Sequence, residues 1–147
     1  MGIISRFPAG ATKPYIEEIY NSDGQLINAN MHGYDTIRIY AFSDCTSLAL
    51  ASLPSGITRI GEGAFLHCTS LALTSLPSGI TNIGEGAFSG CTNLVSLTFE
   101  GTPERIWHDT FDGCNNLTTI NVPWAEGAVA NAPWGAENAT INYGYTG

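Results

Sequence analysis

Positive charge is scarce in this sequence. Of its 147 residues only 5 are Lys or Arg, against 13 Asp or Glu, and the formal net charge at neutral pH is −8. This balance repels phosphate backbones and anionic lipid headgroups, which argues against nucleic-acid binding through a basic surface and against membrane adhesion. No stretch approaches the roughly 18 consecutive apolar residues of a membrane span, so we expect no membrane insertion.

Short cysteine pairs of the C-x-x-C kind, which mark zinc sites, are missing as well. The four cysteines instead stand at equal intervals of 23 residues, at Cys45, Cys68, Cys91 and Cys114. A free cysteine packs as a small hydrophobic residue, so this spacing predicts one buried, reduced thiol in each structural repeat. We therefore expect no disulfide framework, no metal site and no cofactor.

Clustered polar residues of the kind that perform catalysis are also lacking. Glu62 and Glu85 share one position of the repeat, with His108 next in line, and could form a carboxylate pair for acid/base work or calcium. A solvated turn surface with Arg59 and Arg105 nearby is the favoured interpretation, because a convex turn offers no pocket to shift a pKa. We expect no catalytic residues, and an enzyme is the least favoured class.

What the sequence does contain is repetition. Residues 46–68 and 69–91 differ at only four of 23 positions, and apolar residues recur at the same interval before and after them. Near-identical tandem segments are typical of a stacked solenoid, in which each coil packs against its neighbours. The recurring positions form three columns: Ile37, Ile60, Ile83 and Ile106; Phe42, Phe65, Phe88 and Phe111; Leu48, Leu71, Leu94 and Leu117.

Two of the units, ITNIGEGAFSGCTNLVSLTF (80–99) and IWHDTFDGCNNLTTINVP (106–123), carry a specific pattern. They resemble the BspA-like leucine-rich repeat family, whose unit reads I-x-x-x-A-F-x-x-C-x-x-L-x-x-I-x-[LIV]-P. The resemblance runs from about Ile37 to Pro123. It implies a right-handed solenoid with a parallel sheet and a role in adhesion or protein binding. Members are frequently cell-surface proteins of host-associated bacteria, and similar short arrays occur in prophage-encoded proteins.

The predicted fold is thus a leucine-rich-repeat solenoid with a parallel β-sheet of about four coils, divided into three parts. Residues 1–36 form an N-terminal segment and hairpin cap, with Asp23-Gly24 as a type I′ turn, although a short helix over 15–20 is an alternative. Residues 37–123 form four 23-residue repeats. Residues 124–147 form an aromatic cap, because all three tryptophans lie beyond residue 105 and large aromatic rings close an open end.

The candidate binding surface lies on the predicted sheet. Leu50 and Leu73 stand one place before the expected inward positions, Ala51 and Thr74. Either the two leucines form an exposed apolar strip, or the strand bulges and they turn into the core. The candidate face comprises Leu50, Leu73, Ser52, Ser75, Ser96 and Thr98. A weaker aromatic candidate is Trp124 with Trp134, which could stack on sugar rings or else seal the core.

These observations predict a non-catalytic repeat scaffold that binds a protein or glycan, or associates with itself in a larger assembly. Within that class a structural or attachment subunit of a phage or prophage virion is favoured, and a fragment of a bacterial surface adhesin is the alternative. The opening residues, MGIISRFPAG, lack the long apolar run of a signal peptide. We therefore expect an assembly made in the cytoplasm rather than export by a signal peptide.

Overall fold

The chain forms a parallel β-solenoid of about 5 turns in the computed structural model, which describes residues 14–147. No helix occurs among these residues. The strands are β1 (Tyr15–Tyr20), β2 (Leu26–His32), β3 (Thr36–Ile37), β4 (Arg59–Ile60), β5 (Ser75–Leu76), β6 (Asn82–Ile83), β7 (Ser96–Phe99), β8 (Arg105–Ile106), β9 (Thr119–Asn121) and β10 (Thr140–Asn142).

The strands of successive coils form two four-stranded parallel sheets, and the interior coils contribute a strand to each. One sheet has the order β3-β4-β6-β8, and the other has the order β5-β7-β9-β10. Within the first sheet the register advances by one repeat at every step, so that Ile37, Ile60, Ile83 and Ile106 are successive partners. Strand β10 adds to β9 in parallel, pairing Ile141 with Ile120. The C-terminal segment therefore supplies a further coil besides closing the end of the core.

The core is the set of columns that the repeat predicts. The four Phe rings stack along the solenoid with centroids 5.4 to 5.6 Å apart, and all four are buried. Beside them the Sγ atoms of Cys68, Cys91 and Cys114 each donate a hydrogen bond to the carbonyl oxygen of a Phe in the preceding coil, at 3.0 to 3.1 Å. All four cysteines are free thiols, but Cys45 is only half-buried, because its coil faces the hairpin instead of another repeat.

The N-terminal hairpin is present, and it corrects two expectations. Residues 15–20 form a strand and not a helix, because they pair antiparallel with β2. The turn is not type I′, since only Gly24 has a positive φ (78°) and Asp23 does not. The Asn21 side-chain oxygen instead accepts hydrogen bonds from the backbone N–H groups of Asp23 and Gln25, at 2.9 and 3.0 Å, and this arrangement closes a longer loop. Residues 1–13 of the expected N-terminal segment lie outside the described residues.

The two most similar coils differ only at the surface. The differing pairs are all exposed or half-buried: Ala51 and Thr74, Arg59 and Asn82, Leu66 and Ser89, His67 and Gly90. Every buried side chain of one coil is therefore repeated in the next. The G-E-G turns also have the same conformation in both coils, since Gly63 and Gly86 adopt left-handed φ values of 58° and 57°, which favour glycine.

Candidate binding surface

The predicted apolar strip does not exist, because Leu50 and Leu73 belong to the core. They are 5% and 2% exposed, and Ala51 and Thr74 face solvent in their place. In these two coils the inward positions follow L-x-L-x-x-L, whereas Leu94, Leu97 and Phe99 of the next coil follow L-x-x-L-x-L. Of the two alternatives that the sequence left open, the inward turn is the one observed.

The rest of the predicted face is polar. Ser52 and Ser96 are exposed, and Ser75 and Thr98 are half-buried. Thr98 belongs to a chain of side-chain hydrogen bonds across the sheet: Asn142 Nδ2 donates to Asn121 Oδ1 (2.8 Å), and Asn121 Nδ2 donates to Thr98 Oγ1 (3.0 Å). These side chains use their hydrogen-bonding groups on one another and so stabilise the last coils. Few polar groups therefore remain free for a ligand at the C-terminal end of this face.

The aromatic candidate is excluded by burial. Trp134 is fully buried and Trp124 is 5% exposed, so neither ring can stack on a sugar. The two rings instead contact each other edge to face, with centroids 6.1 Å apart, and Trp134 Nε1 donates to the Ala130 carbonyl (2.8 Å). They seal the core. Trp107, which precedes the predicted cap, directly follows β8 and is 37% exposed, because its position in the repeat points away from the core.

The opposite sheet, β3-β4-β6-β8, carries a shallow open groove that sequence analysis missed. Arg38, Arg59 and Trp107 line it, Gly61 and Gly84 form its floor, and it holds about 500 Å³. We call it the arginine groove. These side chains occupy the positions that flank the buried Ile column, one residue before or after it, so they face outward in every coil.

The floor of the arginine groove must be glycine because successive coils approach closely there. A Cβ on Gly61 would lie 2.7 Å from the Ile39 backbone nitrogen, and one on Gly84 would lie 2.6 Å from the Glu62 backbone nitrogen. Both are shorter than any ordinary contact. Two adjacent coils therefore expose bare backbone, and this leaves a channel between the side chains on either side.

The arginines of this sheet are free of acidic partners among the described residues; Arg38 and Arg59 line the groove, and Arg105 lies beside Trp107 at its end. Arg38, Arg59 and Arg105 are the basic residues of the described chain, all three lie on this sheet, and within residues 14–147 none of them forms an ion pair. The Arg105 guanidinium carbon lies 5.2 Å from the centroid of the Trp107 ring, a cation–π contact that holds both groups at the end of the groove. Three unpaired cations on one face of an acidic protein can attract an anion.

The arginine groove had a signal in the sequence. Arg59 and Arg105 each precede an Ile of the buried column, and Arg38 follows one. In a strand the neighbours of an inward residue point outward on the same face, so the three arginines share a surface. Arg59 and Arg105 were instead predicted to lie beside a turn, because strands of two residues around each Ile give no sign of a second sheet in the sequence.

Glu62 and Glu85 lie on a turn surface, which is the interpretation that the sequence favoured over a catalytic or calcium-binding pair. Glu85 is exposed, and Glu62 is half-buried and accepts a hydrogen bond from the Tyr40 hydroxyl (3.1 Å). This hydrogen bond and the Glu62 charge raise the pKa of Tyr40. Among the described residues no three His, Cys, Asp or Glu side chains gather as metal ligands would, and no helix is long and apolar enough to cross a membrane.

Comparison with known proteins shows which family has this architecture. A family model for the BspA type leucine-rich repeat region, with 6 copies, matches residues 18–128. A solved leucine-rich repeat protein of T. pallidum is 19% identical, with a TM-score of 0.51 over 96% of this chain and 83% of the other. A solved leucine-rich cell surface protein of Faecalibacterium prausnitzii A2-165 is 20% identical, with a TM-score of 0.52 over 92% of this chain and 44% of the other. No protein with a curated description matches.

Proposed function

The chain belongs to the BspA type leucine-rich repeat family, and we propose that it is a non-catalytic scaffold that binds a protein or a glycan through a sheet surface. The observation that carries the proposal is the arginine groove, in which unpaired Arg59 stands in register with Asn82 and Arg105. Unpaired Arg38 and exposed Trp107 occupy the other outward column of the same sheet, one residue after the buried Ile. Parallel strands lie about 4.8 Å apart, so the coils display these groups at a fixed spacing that suits an extended partner.

The pattern of divergence between coils supports the same proposal. The four differences between residues 46–68 and 69–91 all lie at the surface, so the coils differ only in what they present to solvent. A surface whose side chains vary while the core stays constant is expected of a binding module.

Two finer roles fit this scaffold. The solved F. prausnitzii protein is named a cell surface protein, and it supports a role as an adhesin, of which this chain would span the repeat region. The second role is an attachment subunit of a phage or prophage virion, and its support is the occurrence of similar short arrays in prophage-encoded proteins. Antibody labelling distinguishes them: label on the cell envelope supports the adhesin, and label on purified phage particles supports the virion subunit.

Solid-phase binding tests the scaffold itself. The full chain is immobilised and titrated with purified extracellular-matrix proteins and with defined glycans. We expect saturable binding to a member of one class, and we expect this binding to disappear in Phe88→Ala under conditions that unfold this variant. Saturable binding to neither class, with the wild-type chain shown to be folded by circular dichroism, would contradict the proposal.

A further inference from the structure

We infer that the arginine groove binds an anionic polysaccharide that carries one acidic group on every second sugar. The inference rests on the proposed function and specifies the chemistry of the partner at that surface. It is argued from the charge, the spacing and the shape of the groove.

Charge selects an anion. Arg38, Arg59 and Arg105 are exposed, and within the described residues no carboxylate lies within ion-pair distance of any of them. A guanidinium forms two parallel hydrogen bonds to a carboxylate or a sulfate, so each free Arg is a ready site for such a group. The rest of the molecule repels anions, and an anionic ligand is therefore directed to this sheet.

Spacing selects a polysaccharide. Arg59 on β4 pairs with Asn82 on β6, and Asn82 pairs with Arg105 on β8, so two strand steps separate the arginines. Strands lie about 4.8 Å apart, which places the two arginine backbones about 10 Å apart. One disaccharide of an extended polysaccharide has about this length. A chain laid across the strands would thus present an acidic group to each Arg and a neutral sugar to Asn82.

Shape agrees with a flat ring. Gly61 and Gly84 leave bare backbone along the floor, and the exposed ring of Trp107 stands at one end. A pyranose ring can lie on this floor, beside the row formed by Arg59, Asn82 and Arg105, and its apolar face can contact the indole. The Asn82 side chain, between the arginines, can exchange hydrogen bonds with sugar hydroxyls.

An acidic peptide fits this groove less well. In an extended peptide, side chains on one face recur about every 6.7 Å, which does not match two strand steps. A peptide also gains most of its affinity at an open sheet edge, whereas the arginine groove lies on the face of a sheet whose strands are already paired. Glu62 and Glu85, one position beyond the floor residues, further limit how much negative charge the surface accepts.

The test is calorimetric titration of the full chain at low salt with oligosaccharides of matched length. The probes are hyaluronan oligosaccharides, with a carboxylate on alternate sugars; neutral chitin oligosaccharides; chondroitin sulfate oligosaccharides; and a poly-glutamate peptide. We expect hyaluronan to bind, chitin oligosaccharides to bind at least tenfold more weakly, and raised salt to weaken hyaluronan binding. Chondroitin sulfate carries an acidic group on every sugar, so we expect it to bind no more tightly than hyaluronan; tighter binding would show that total charge, and not the spacing of the acidic groups, governs the affinity.

Variants locate the site. Arg59→Ala/Arg105→Ala should weaken hyaluronan binding tenfold or more, and Arg59→Lys/Arg105→Lys should weaken it less, because Lys keeps the charge without the two-pronged geometry. The matched control is Ser55→Asp/Ser78→Asp, which lowers the net charge by the same two units at exposed positions outside the groove and should leave binding nearly unchanged. Hyaluronan should also quench the fluorescence of Trp107, the exposed tryptophan.

Four results would overturn the inference. These are equal binding of neutral and anionic oligosaccharides, no binding of hyaluronan, tighter binding of chondroitin sulfate than of hyaluronan, and tighter binding of poly-glutamate with the same dependence on Arg59 and Arg105. Each leaves the proposed scaffold function standing if the solid-phase assay still finds a fold-dependent partner. When anionic glycans are included in the solid-phase assay, a chain that binds hyaluronan in the calorimeter must also give a positive solid-phase result. The two experiments therefore fail together only if the scaffold function itself is wrong.

Discussion

The rings of Phe65 and Phe88 lie nearly parallel, with centroids 5.4 Å apart and planes inclined by 4°. The distance between the ring centroids is only slightly larger than the separation of neighbouring strands, about 4.8 Å. One step along the solenoid therefore brings both the rings into contact and the strands into hydrogen-bonding distance. Each coil is thereby held in register by its side chains as well as by its hydrogen bonds. We therefore expect substitutions of the stacked rings to be more destabilising than substitutions at exposed positions of the coils.

Truncation of an interior ring should be costly. Phe88→Ala removes the contacts to both Phe65 and Phe111 and leaves a cavity, so we expect a loss of about 3 to 5 kcal/mol in the free energy of unfolding. Urea denaturation followed by circular dichroism measures it. Val95→Ala, at a position that is 55% exposed, is the control and should change stability by less than about 0.5 kcal/mol. A Phe88→Ala midpoint equal to that of wild type would show that the column is not the core.

The inward position of Leu50 and Leu73 gives a second prediction. Each Leu→Ser change exchanges a buried side chain for a cavity and a hydroxyl, so we expect each to cost about 2 to 5 kcal/mol and the double variant to unfold. Thermal unfolding of both single variants and the double variant is the measurement. Val95→Ser provides the exposed comparison. A double variant that melts like wild type would restore the alternative in which both leucines face solvent.

Thiol reactivity should be graded along the array. Cys45 is half-buried, whereas Cys68, Cys91 and Cys114 are buried and their pKa values are raised by desolvation, to about 12 for Cys68 and Cys114. Since the thiolate is the reactive form, iodoacetamide should label Cys45 first and the others only after unfolding. Mass spectrometry of partially labelled protein reads the order. Fewer than four labelled thiols in non-reducing denaturant would reveal a disulfide instead.

The same pKa shifts predict a loss of stability in alkali. A Cys68 thiol with a pKa near 12 in the fold and near 9 when unfolded holds its proton more tightly in the folded state. The unfolded state therefore releases the proton first, and stability falls as pH rises from 9 towards 12, by at most about 1.4 kcal/mol per pH unit for one thiol. Urea denaturation of wild type and Cys68→Ala at several pH values should give a shallower decline for the variant. Identical slopes would contradict this prediction.

The groove floor predicts a contrast between glycines. Gly61→Ala would place a Cβ 2.7 Å from the Ile39 backbone nitrogen, so we expect a cost of about 1 to 3 kcal/mol from overpacking. Gly56→Ala is the matched control, because its Cβ would meet no atom closer than 3.9 Å and its φ is not positive. Differential scanning calorimetry should show a lower melting temperature for Gly61→Ala alone. Equal melting temperatures would mean that the coils can separate at little cost.

The sequence predicted the repeated core well, because one period of 23 residues places every Ile, Phe, Leu and Cys column. It could not decide the direction of Leu50, since Leu50 and Ala51 are both apolar and the choice depends on how the strand packs in three dimensions. The hairpin was predicted, but not its turn, because the backbone turn spans residues 21–24, with the Gly24 N–H donating to the Asn21 carbonyl oxygen (3.0 Å), and does not centre on Asp23-Gly24. The Asn21 side chain adds two further hydrogen bonds to the loop.

The candidate site was predicted less well than the fold. The binding surface was predicted on the leucine-rich sheet, where apolar residues are conspicuous, and the second sheet was not predicted, because its strands β3, β4, β6 and β8 have only two residues each. Strands this short give no alternating pattern to detect. Trp107 was not predicted as a surface residue for the same reason, because it directly follows the two-residue strand β8.

The conserved interior of residues 46–68 and 69–91 also bears on inheritance. Loss or gain of one such unit by unequal recombination brings together coils whose buried side chains are already complementary, so the daughter protein folds without compensating mutations. Each event also shortens or lengthens the arginine groove by one strand step. The number of coils is therefore a trait on which selection can act directly, and the reach of the surface can evolve in whole increments while the core stays unchanged.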